Sequence, residues 1–418
     1  MAKNVKTVRK SFEYRQCDDF AAYLNHMARQ GWHFKEFRGG FVFEKGEPED
    51  AVYAVEVFSG ASEYDTYPEP QTKEFAEYCE AAGWQFIDAM RKFVVFKRIR
   101  EDAVPIMTDE ERLDSIVKAT RKEIWHPVFY SGIWVVLRAL NFATSFRREI
   151  YSNISLMFTA FFVMTFVASL LRCGQFYLWK SRCRKRLEEG KRLFFGKGRQ
   201  TFEARWYLWV DSALLLGMFL VFILEGQTAM ALIPLVTVGI ILIPVFFMAK
   251  KRPDSATMQV SGVLSGAFAV LVIICLSFFL VARESEKEKV LPPPPLTYAD
   301  MGIDLELAEV SSVRQQQSIF GSWQYFSLDY GDDFLYYQFF TADADWVLDA
   351  LWAEETDGRV NEIRHDCTDS WGAEEAFRNN AGTYLVRYED TFWVISHSLE
   401  QPLIQAQIDL IITALREG

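Results

Sequence analysis

The chain has 418 residues, half of them hydrophobic, and a formal net charge of −11 at pH 7. Residues 290–418 hold 23 acidic and six basic side chains, which argues against nucleic-acid binding because carboxylates and phosphates repel each other. The six cysteines are scattered without CxxC spacing, so we predict neither a disulfide framework nor a zinc site.

Residues 1–122 carry one sequence pattern twice. The pattern is F-A-x-Y … G-W-x-F, and its copies begin at Phe20 and Phe75. Each copy predicts an amphipathic helix, at 18–30 and at 70–82, that ends at a glycine able to adopt a left-handed backbone. Strand-like segments precede and follow each helix. The pattern therefore predicts a duplicated β-α-β-β unit that forms an α+β domain with a mostly antiparallel sheet.

The Gly-Trp pairs at the two helix ends are the most distinctive positions of this pattern. They are Gly31-Trp32 and Gly83-Trp84. A helix cap followed by an aromatic core residue explains them without a ligand. The alternative is a ligand clamp built from two tryptophans. We predict the structural role.

The middle of the chain, 123–289, holds nearly all the long apolar runs. A helix needs about 20 apolar residues to cross a bilayer. Five stretches satisfy or approach this requirement: 125–143, 151–171, 205–225, 229–249 and 258–282. We therefore predict a multi-pass α-helical membrane protein with five spans between two α+β domains. The first stretch contains Pro127 and Arg138, and the alternative for it is a core helix of a soluble domain.

The charges of the loops predict the orientation of these spans. The loop 172–204 is rich in Lys and Arg, and 250–257 begins with three consecutive basic residues. Basic loops stay on the cytoplasmic side. This places residues 1–122 in the cytoplasm and residues 290–418 outside the cell membrane. The loop 172–204 is then either a solvated topogenic segment, which we favour, or a site for anionic lipid.

Three ionisable side chains stand out within the predicted spans: Arg138, Asp211 and Glu225. Charges at membrane depth are functional candidates because lipid penalises them. By depth, Arg138 suits Glu225 better than Asp211 as a partner, and the alternative is that each side chain reaches its nearer interface. Separately, Gly262 and Gly266 have GxxxG spacing, which favours close packing between helices.

Residues 290–418 predict a second α+β domain on a stiff proline stalk, Pro292 to Pro295. Strands are predicted at 323–329, 334–341, 383–388 and 392–396, and helices at 343–355 and 401–416. His365, Asp366 and Cys367 are adjacent in the sequence and could be taken for metal ligands. Adjacent residues of a strand point to opposite faces, so we predict no metal and no cofactor here.

The paired G-W-x-F units followed by apolar helices resemble the bacterial membrane proteins of the domain of unknown function family 2812. The resemblance is most specific over 6–100 and weaker over the apolar stretches, and the segment from Asp369 to Tyr388 also resembles the tail of such proteins. It implies a bacterial envelope protein, often encoded beside regulators of the PadR type. It implies no established activity and no catalytic residues.

The sequence leaves two classes of function open and makes a third improbable. We expect a non-catalytic sensor or regulator in which the outer domain signals to residues 1–122, and these bind a cytosolic protein. The alternative is a transporter or its accessory subunit, for which Pro234, Pro244 and the charges of the spans are the motivation. An enzyme is not expected, because the GxSxG, HExxH and phosphate-loop motifs are all missing.

Overall fold

A computed structural model describes the protein over residues 4–196, 256–268, 293–304, 309–357, 363–399 and 401–417, with a few further residues between 212 and 272. The chain divides into two units. The first comprises 1–134 and 161–284, and the second comprises 135–160 and 285–418.

The first unit begins with two successive β-α-β-β segments. One contains β1 (Val5–Val8), α1 (Cys17–Arg29), β2 (Trp32–Phe37) and β3 (Phe41–Lys45). The other contains β4 (Tyr53–Val57), α2 (Pro70–Ala81), β5 (Trp84–Met90) and β6 (Phe93–Arg98). Each forms a three-stranded antiparallel sheet with its last strand in the middle. The predicted helices and sheet type are thus observed, whereas an origin by duplication stays a prediction.

The two sheets also share a local irregularity. A β-bulge interrupts β2 between Phe34 and Glu36, and another interrupts β5 between Phe86 and Asp88. Bulges bend a strand and redirect its side chains. The carboxylate of Asp88 accepts a hydrogen bond from the backbone N–H of Phe37 at 2.7 Å, so the sheets meet at these bulged strands.

Two long helices follow, joined by a short one. They are α3 (Asp109–Thr144), α4 (Phe146–Ile150) and α5 (Asn153–Glu188). Pro127 lies inside α3, and the Ser131 hydroxyl donates a hydrogen bond to the carbonyl oxygen of Pro127. Residues 256–268 are also helical.

The five-span helical architecture predicted above is wrong as a description of this fold. In the described part of the chain, α5 alone is long and apolar enough to cross a membrane, and the chain is a mixed α+β protein with three sheets. The predicted span 125–143 is instead the later part of α3, where the polar residues His126, Arg138 and Asn141 lower the mean hydropathy. The stretch 229–249, most of 205–225 and about half of 258–282 lie outside the described residues.

The second unit contains a seven-stranded antiparallel sheet in the order β10-β11-β12-β13-β9-β8-β7. Its strands are β7 (Glu309–Ser318), β8 (Gly321–Asp329), β9 (Phe334–Ala342), β10 (Arg364–Asp366), β11 (Glu375–Asn379), β12 (Tyr384–Arg387) and β13 (Thr391–His397). Its helices are α6 (Asp345–Asp357), α7 (Thr368–Trp371) and α8 (Gln405–Glu417).

A separate hydrophobic core packs against each face of this sheet. On one face, Ile408 and Ile411 of α8 pack with residues from all the central strands, together with Leu296 and Met301. On the other face, α6 and the turn between α3 and α5 pack against Phe340 and its neighbours. Side chains alternate between the faces along a strand, so one strand supplies both cores.

Candidate functional site

One end of the α8 face of the sheet is open and forms a cleft of about 840 Å³ beside Pro293 and Pro295. Phe326, Phe339 and Trp393 form its floor, one from each of β8, β9 and β13. They reach the same face because these strands are neighbours and side chains two residues apart share a face. The volume lies within the usual range of small-ligand sites.

Contacts between the rings hold the floor in place. Phe339 and Trp393 meet edge to face with centroids 6.2 Å apart, and Tyr388 lies 4.9 Å from Trp393. The Tyr388 hydroxyl donates a hydrogen bond to the carbonyl oxygen of Trp371 at 3.0 Å. Such pairs are more rigid than aliphatic contacts because the ring quadrupoles favour a defined angle. The floor is therefore preformed.

The rim of the cleft is polar and carries negative charge. Gln315 and Gln324 are directly opposite each other on β7 and β8, so two side-chain amides line one edge. At the other edge Glu389 and Asp390 form the exposed tip of the β12–β13 turn, which a Tyr388 N–H to Thr391 C=O hydrogen bond of 2.8 Å closes. The described residues of the lining include no Lys, Arg, His or Cys.

The opposite face of the same strands holds the turn between α3 and α5. Ile150 and Tyr151 are almost fully buried there, against Phe340 and Phe392. The Tyr151 hydroxyl donates a hydrogen bond to the backbone carbonyl of Thr341 at 2.9 Å, while the Thr341 side chain lines the cleft. A movement of β9 at Thr341 would therefore be transmitted to the turn between α3 and α5 through the Tyr151 hydrogen bond.

Further polar contacts fix the turn on the sheet. Ser318 donates a hydrogen bond to the carbonyl oxygen of Ile150 at 2.7 Å, and Arg147 forms an ion pair with Glu355 at 2.9 Å. The Arg147 guanidinium also lies 4.9 Å from the centre of the Trp323 ring. These contacts make the turn part of the C-terminal domain rather than a free loop.

Arg138 lies in the last part of α3, within the second unit, and its guanidinium is both ion-paired and hydrogen-bonded. Its guanidinium pairs with Glu149 at 2.5 Å and donates hydrogen bonds to the hydroxyls of Ser155 and Thr159. Only 14% of the Arg138 side chain and 8% of the Glu149 side chain are exposed. Among the described residues Glu149 is its ion-pair partner, whereas the predicted partner Glu225 lies outside them, so a contact with Glu225 stays a prediction. Both partners lie close to the turn between α3 and α5, a pairing that the sequence analysis did not foresee.

In the first unit, Arg112 joins the start of α3 to the N-terminal domain. It forms ion pairs with Asp18 at 2.6 Å and with Glu56 at 3.0 Å. Burial raises the pKa of Glu56 to about 7, against the opposing charge of Arg112. Asp18 also accepts a hydrogen bond from the backbone N–H of Phe195, and its own N–H donates to the Phe195 carbonyl. We call Arg112, Asp18, Glu56 and Phe195 the Arg112 clamp.

The Gly-Trp positions have structural partners. Gly31 and Gly83 both have positive φ, 74° and 95°, as the cap prediction requires. Trp84 is buried, and its indole N–H donates to the carbonyl oxygen of Val104 at 2.7 Å. Trp32 is partly buried against the N-terminal core. The capping prediction is confirmed by these conformations.

The remaining predicted positions are not brought into a site. Asp211, like Glu225, lies outside the described residues. Gly262 and Gly266 are helical, and no described atom lies within 4 Å of a Cβ built at either, so close packing there stays a prediction. His365 and Asp366 are exposed, and the described part of the chain has no group of three His, Cys, Asp or Glu side chains positioned to hold a metal.

Sequence reasoning did not identify the cleft. Its floor comes from three strands and its rim from residues as far apart as Gln315 and Leu415. The available signal was the aromatic alternation in β8, β9 and β13, which indicated strands but not which aromatic residues would lack a covering helix.

Comparison with known proteins identifies the N-terminal part. Residues 16–129 match the family model described as "Protein of unknown function (DUF2812)". This agrees with the resemblance found in the G-W-x-F units, while the bacterial and membrane character that it implied stays a prediction. No curated protein and no solved structure matches the chain.

Proposed function

We propose that the protein is a non-catalytic, membrane-anchored sensor or regulator. In this proposal the C-terminal cleft binds a ligand outside the cell, and the helices α3 and α5 transmit the change to the N-terminal domain. That domain contacts a cytosolic protein. The observation that carries the proposal is the shared strand position Thr341, whose side chain lines the cleft and whose carbonyl binds Tyr151 of the helical turn.

The membrane part of the proposal rests on the surface of the two long helices. Only 11% of the most apolar 18-residue window of α5 is buried. A core helix of a soluble protein would be mostly buried. Large apolar side chains of α3 are exposed too, including Phe129 at 65% and Val136 at 59%. An apolar surface of this extent favours lipid as its solvent.

The end of α5 supports a lipid-headgroup contact on the cytoplasmic side. Arg182, Arg184, Lys185 and Arg186 are exposed there, directly after the apolar part of the helix. Basic residues next to a membrane helix attract anionic headgroups. We propose anionic lipid as a partner of this segment.

The non-catalytic part rests on the composition of the cleft. Within the described part of the chain, its lining offers hydroxyl groups but no histidine, lysine or cysteine that could activate one. Of the residues that motivate the transporter alternative, Arg138 alone lies in the described part of the chain, and there it is an ion-pair partner of Glu149. No observation in the described residues favours that alternative.

The coupling can be tested without knowledge of the ligand. The double substitution Tyr151→Phe and Ser318→Ala removes two hydrogen bonds that fix the turn on the sheet. With the full-length protein in lipid nanodiscs, we expect faster hydrogen exchange at Leu113, Ile116 and Ala119, which α3 contributes to the N-terminal core. As a control, Thr413→Ala removes a hydroxyl bond within α8.

The result has two distinguishable outcomes. Faster exchange at the start of α3 in the double variant alone supports transmission through the helices. Faster exchange confined to the C-terminal domain would contradict the proposal, because the turn would then have loosened without any effect on the N-terminal domain.

A further inference from the structure

We propose that the C-terminal cleft binds a short cationic peptide. This inference rests on the proposed function, since it names the class of ligand that the sensor would detect. It is carried by three features of the cleft: a negatively charged edge, an aromatic floor, and a pair of side-chain amides along the opposite edge.

The edge of the cleft carries negative charge. Glu389 and Asp390 are exposed there, and the described residues that line the cleft include no basic side chain. The nearest arginine in sequence, Arg387, lies on the other face of the sheet, where it pairs with Asp349. The whole segment 290–418 has 23 acidic and six basic residues, so its field also attracts cations.

The floor suits the side chain of lysine or arginine. Half-buried Phe339 presents an apolar surface to the aliphatic stem, while Trp393 is almost fully buried and supports the Phe339 ring from its edge. An ammonium or guanidinium group above the Phe339 ring gains a cation–π interaction while its charge remains near Glu389 and Asp390. An acidic or purely apolar ligand would use only part of this arrangement.

The size of the cleft and its amides favour a peptide over an isolated amine. A volume of about 840 Å³ greatly exceeds the volume of one ammonium group. Gln315 and Gln324 are opposite each other on neighbouring strands and provide both donors and acceptors. A peptide backbone offers complementary groups at regular intervals, which a polyamine does not.

The experiment uses fluorescein-labelled tetralysine amide and full-length protein in nanodiscs made of neutral lipid. Fluorescence anisotropy measures the dissociation constant. We expect Glu389→Gln combined with Asp390→Asn to weaken binding about tenfold, since each exposed charge pair contributes up to about 1 kcal/mol. The matched control, Asp332→Asn with Glu374→Gln, makes the same change in charge at exposed positions outside the cleft and should leave binding nearly unchanged.

A second variant separates the floor from the charge. Phe339→Leu keeps an apolar side chain at a half-buried position, and we expect it to weaken tetralysine several-fold through loss of the ring. Equal weakening by the cleft and control charge variants would overturn the proposal, because the acidic surface as a whole would then bind the peptide.

Two competitors test the ligand class. If tetraserine amide competes as well as tetralysine, the cationic preference is wrong. If spermine competes equally well at equal charge, the peptide assignment is wrong. Both outcomes would leave the coupling experiment with the Tyr151 variant unaffected, so failure of this inference is distinct from failure of the sensor proposal.

Discussion

His397 is the residue whose chemistry is most constrained by its surroundings. Its side chain is almost fully buried next to Tyr384, and neither ring nitrogen has a hydrogen-bond partner in the described part of the structure. Burial, assisted by the positive charge of Arg378, lowers the pKa of His397 to about 4. The folded protein therefore keeps this imidazole neutral at pH values where the unfolded chain protonates it.

This difference predicts that the C-terminal domain loses stability in acid. The unfolded chain binds the proton below about pH 6.5 and the folded chain only below about pH 4, so stability falls as the pH decreases between these values. A shift of this size corresponds to about 3 kcal/mol. His397→Phe should flatten the dependence, as measured by thermal unfolding between pH 7 and pH 4.

The exposed His365 provides the control for this measurement. His365→Phe should retain the dependence of the wild-type protein on pH. If the His397 variant shows the same acid destabilisation as the wild type, other groups are responsible and the explanation given for His397 is wrong.

At the Arg112 clamp, loss of the arginine leaves buried Glu56 and partly buried Asp18 without this counter-ion. Arg112→Met should lower the free energy of unfolding of the N-terminal domain by about 3–5 kcal/mol, because an unpaired buried charge is costly. Arg29→Met removes the exposed Arg29–Asp50 pair instead and should cost less than about 1 kcal/mol. Chemical denaturation followed by hydrogen exchange at α1 measures both. Similar losses in the two variants would show that the clamp contributes little.

At the scale of elements, sequence patterns located those helices and strands whose signal is local. The predicted helix 70–82 nearly coincides with α2 (Pro70–Ala81), because proline starts it and Gly83 ends it. The predicted strand 334–341 likewise matches β9. These segments carry their boundary residues and periodicity within about a dozen positions.

Elements without a local signal were missed. Strand β7 contains Gln315, Gln316 and Gln317 in succession, so it has no alternation of apolar and polar residues. It is an edge strand and pairs with β8 in the described part of the chain. An edge strand does not need one apolar face, so its sequence does not have to alternate. The sequence did not indicate the position of the cleft either, because this position depends on where α8 ends over the sheet rather than on any one segment.

The pair Arg138–Glu149 belongs to the helical turn as an element. Arg138→Met or Glu149→Gln alone should destabilise the turn by about 3 kcal/mol, because each leaves its buried partner uncompensated. The double variant should recover much of this loss. The melting temperature of the full-length protein in nanodiscs measures the cycle. Additive losses in the double variant would show that the two side chains do not act as a pair.

For the whole molecule, the proposed function depends on whether lipid or water surrounds the apolar surfaces of α3 and α5. We expect the full-length protein to remain in the membrane fraction after alkaline carbonate treatment and to enter solution only with detergent. We also expect a thiol label that cannot cross lipid to react from outside with a cysteine introduced at Asp332 but not with one introduced at Glu47, both exposed positions. Equal labelling of the two positions in intact cells would contradict the proposed orientation.

The Arg112 clamp has a consequence for biosynthesis. Leu193 and Phe195 belong to the core of the N-terminal domain, although α3 and α5 separate them from it in sequence. A nascent chain that ends after residue 100 therefore lacks part of the interior of its own first domain. We expect ribosome-bound chains to acquire protease resistance over residues 4–98 only once residue 195 has left the exit tunnel, after both long helices have been synthesised. Completion of the first domain would then report that the helical hairpin is already in place.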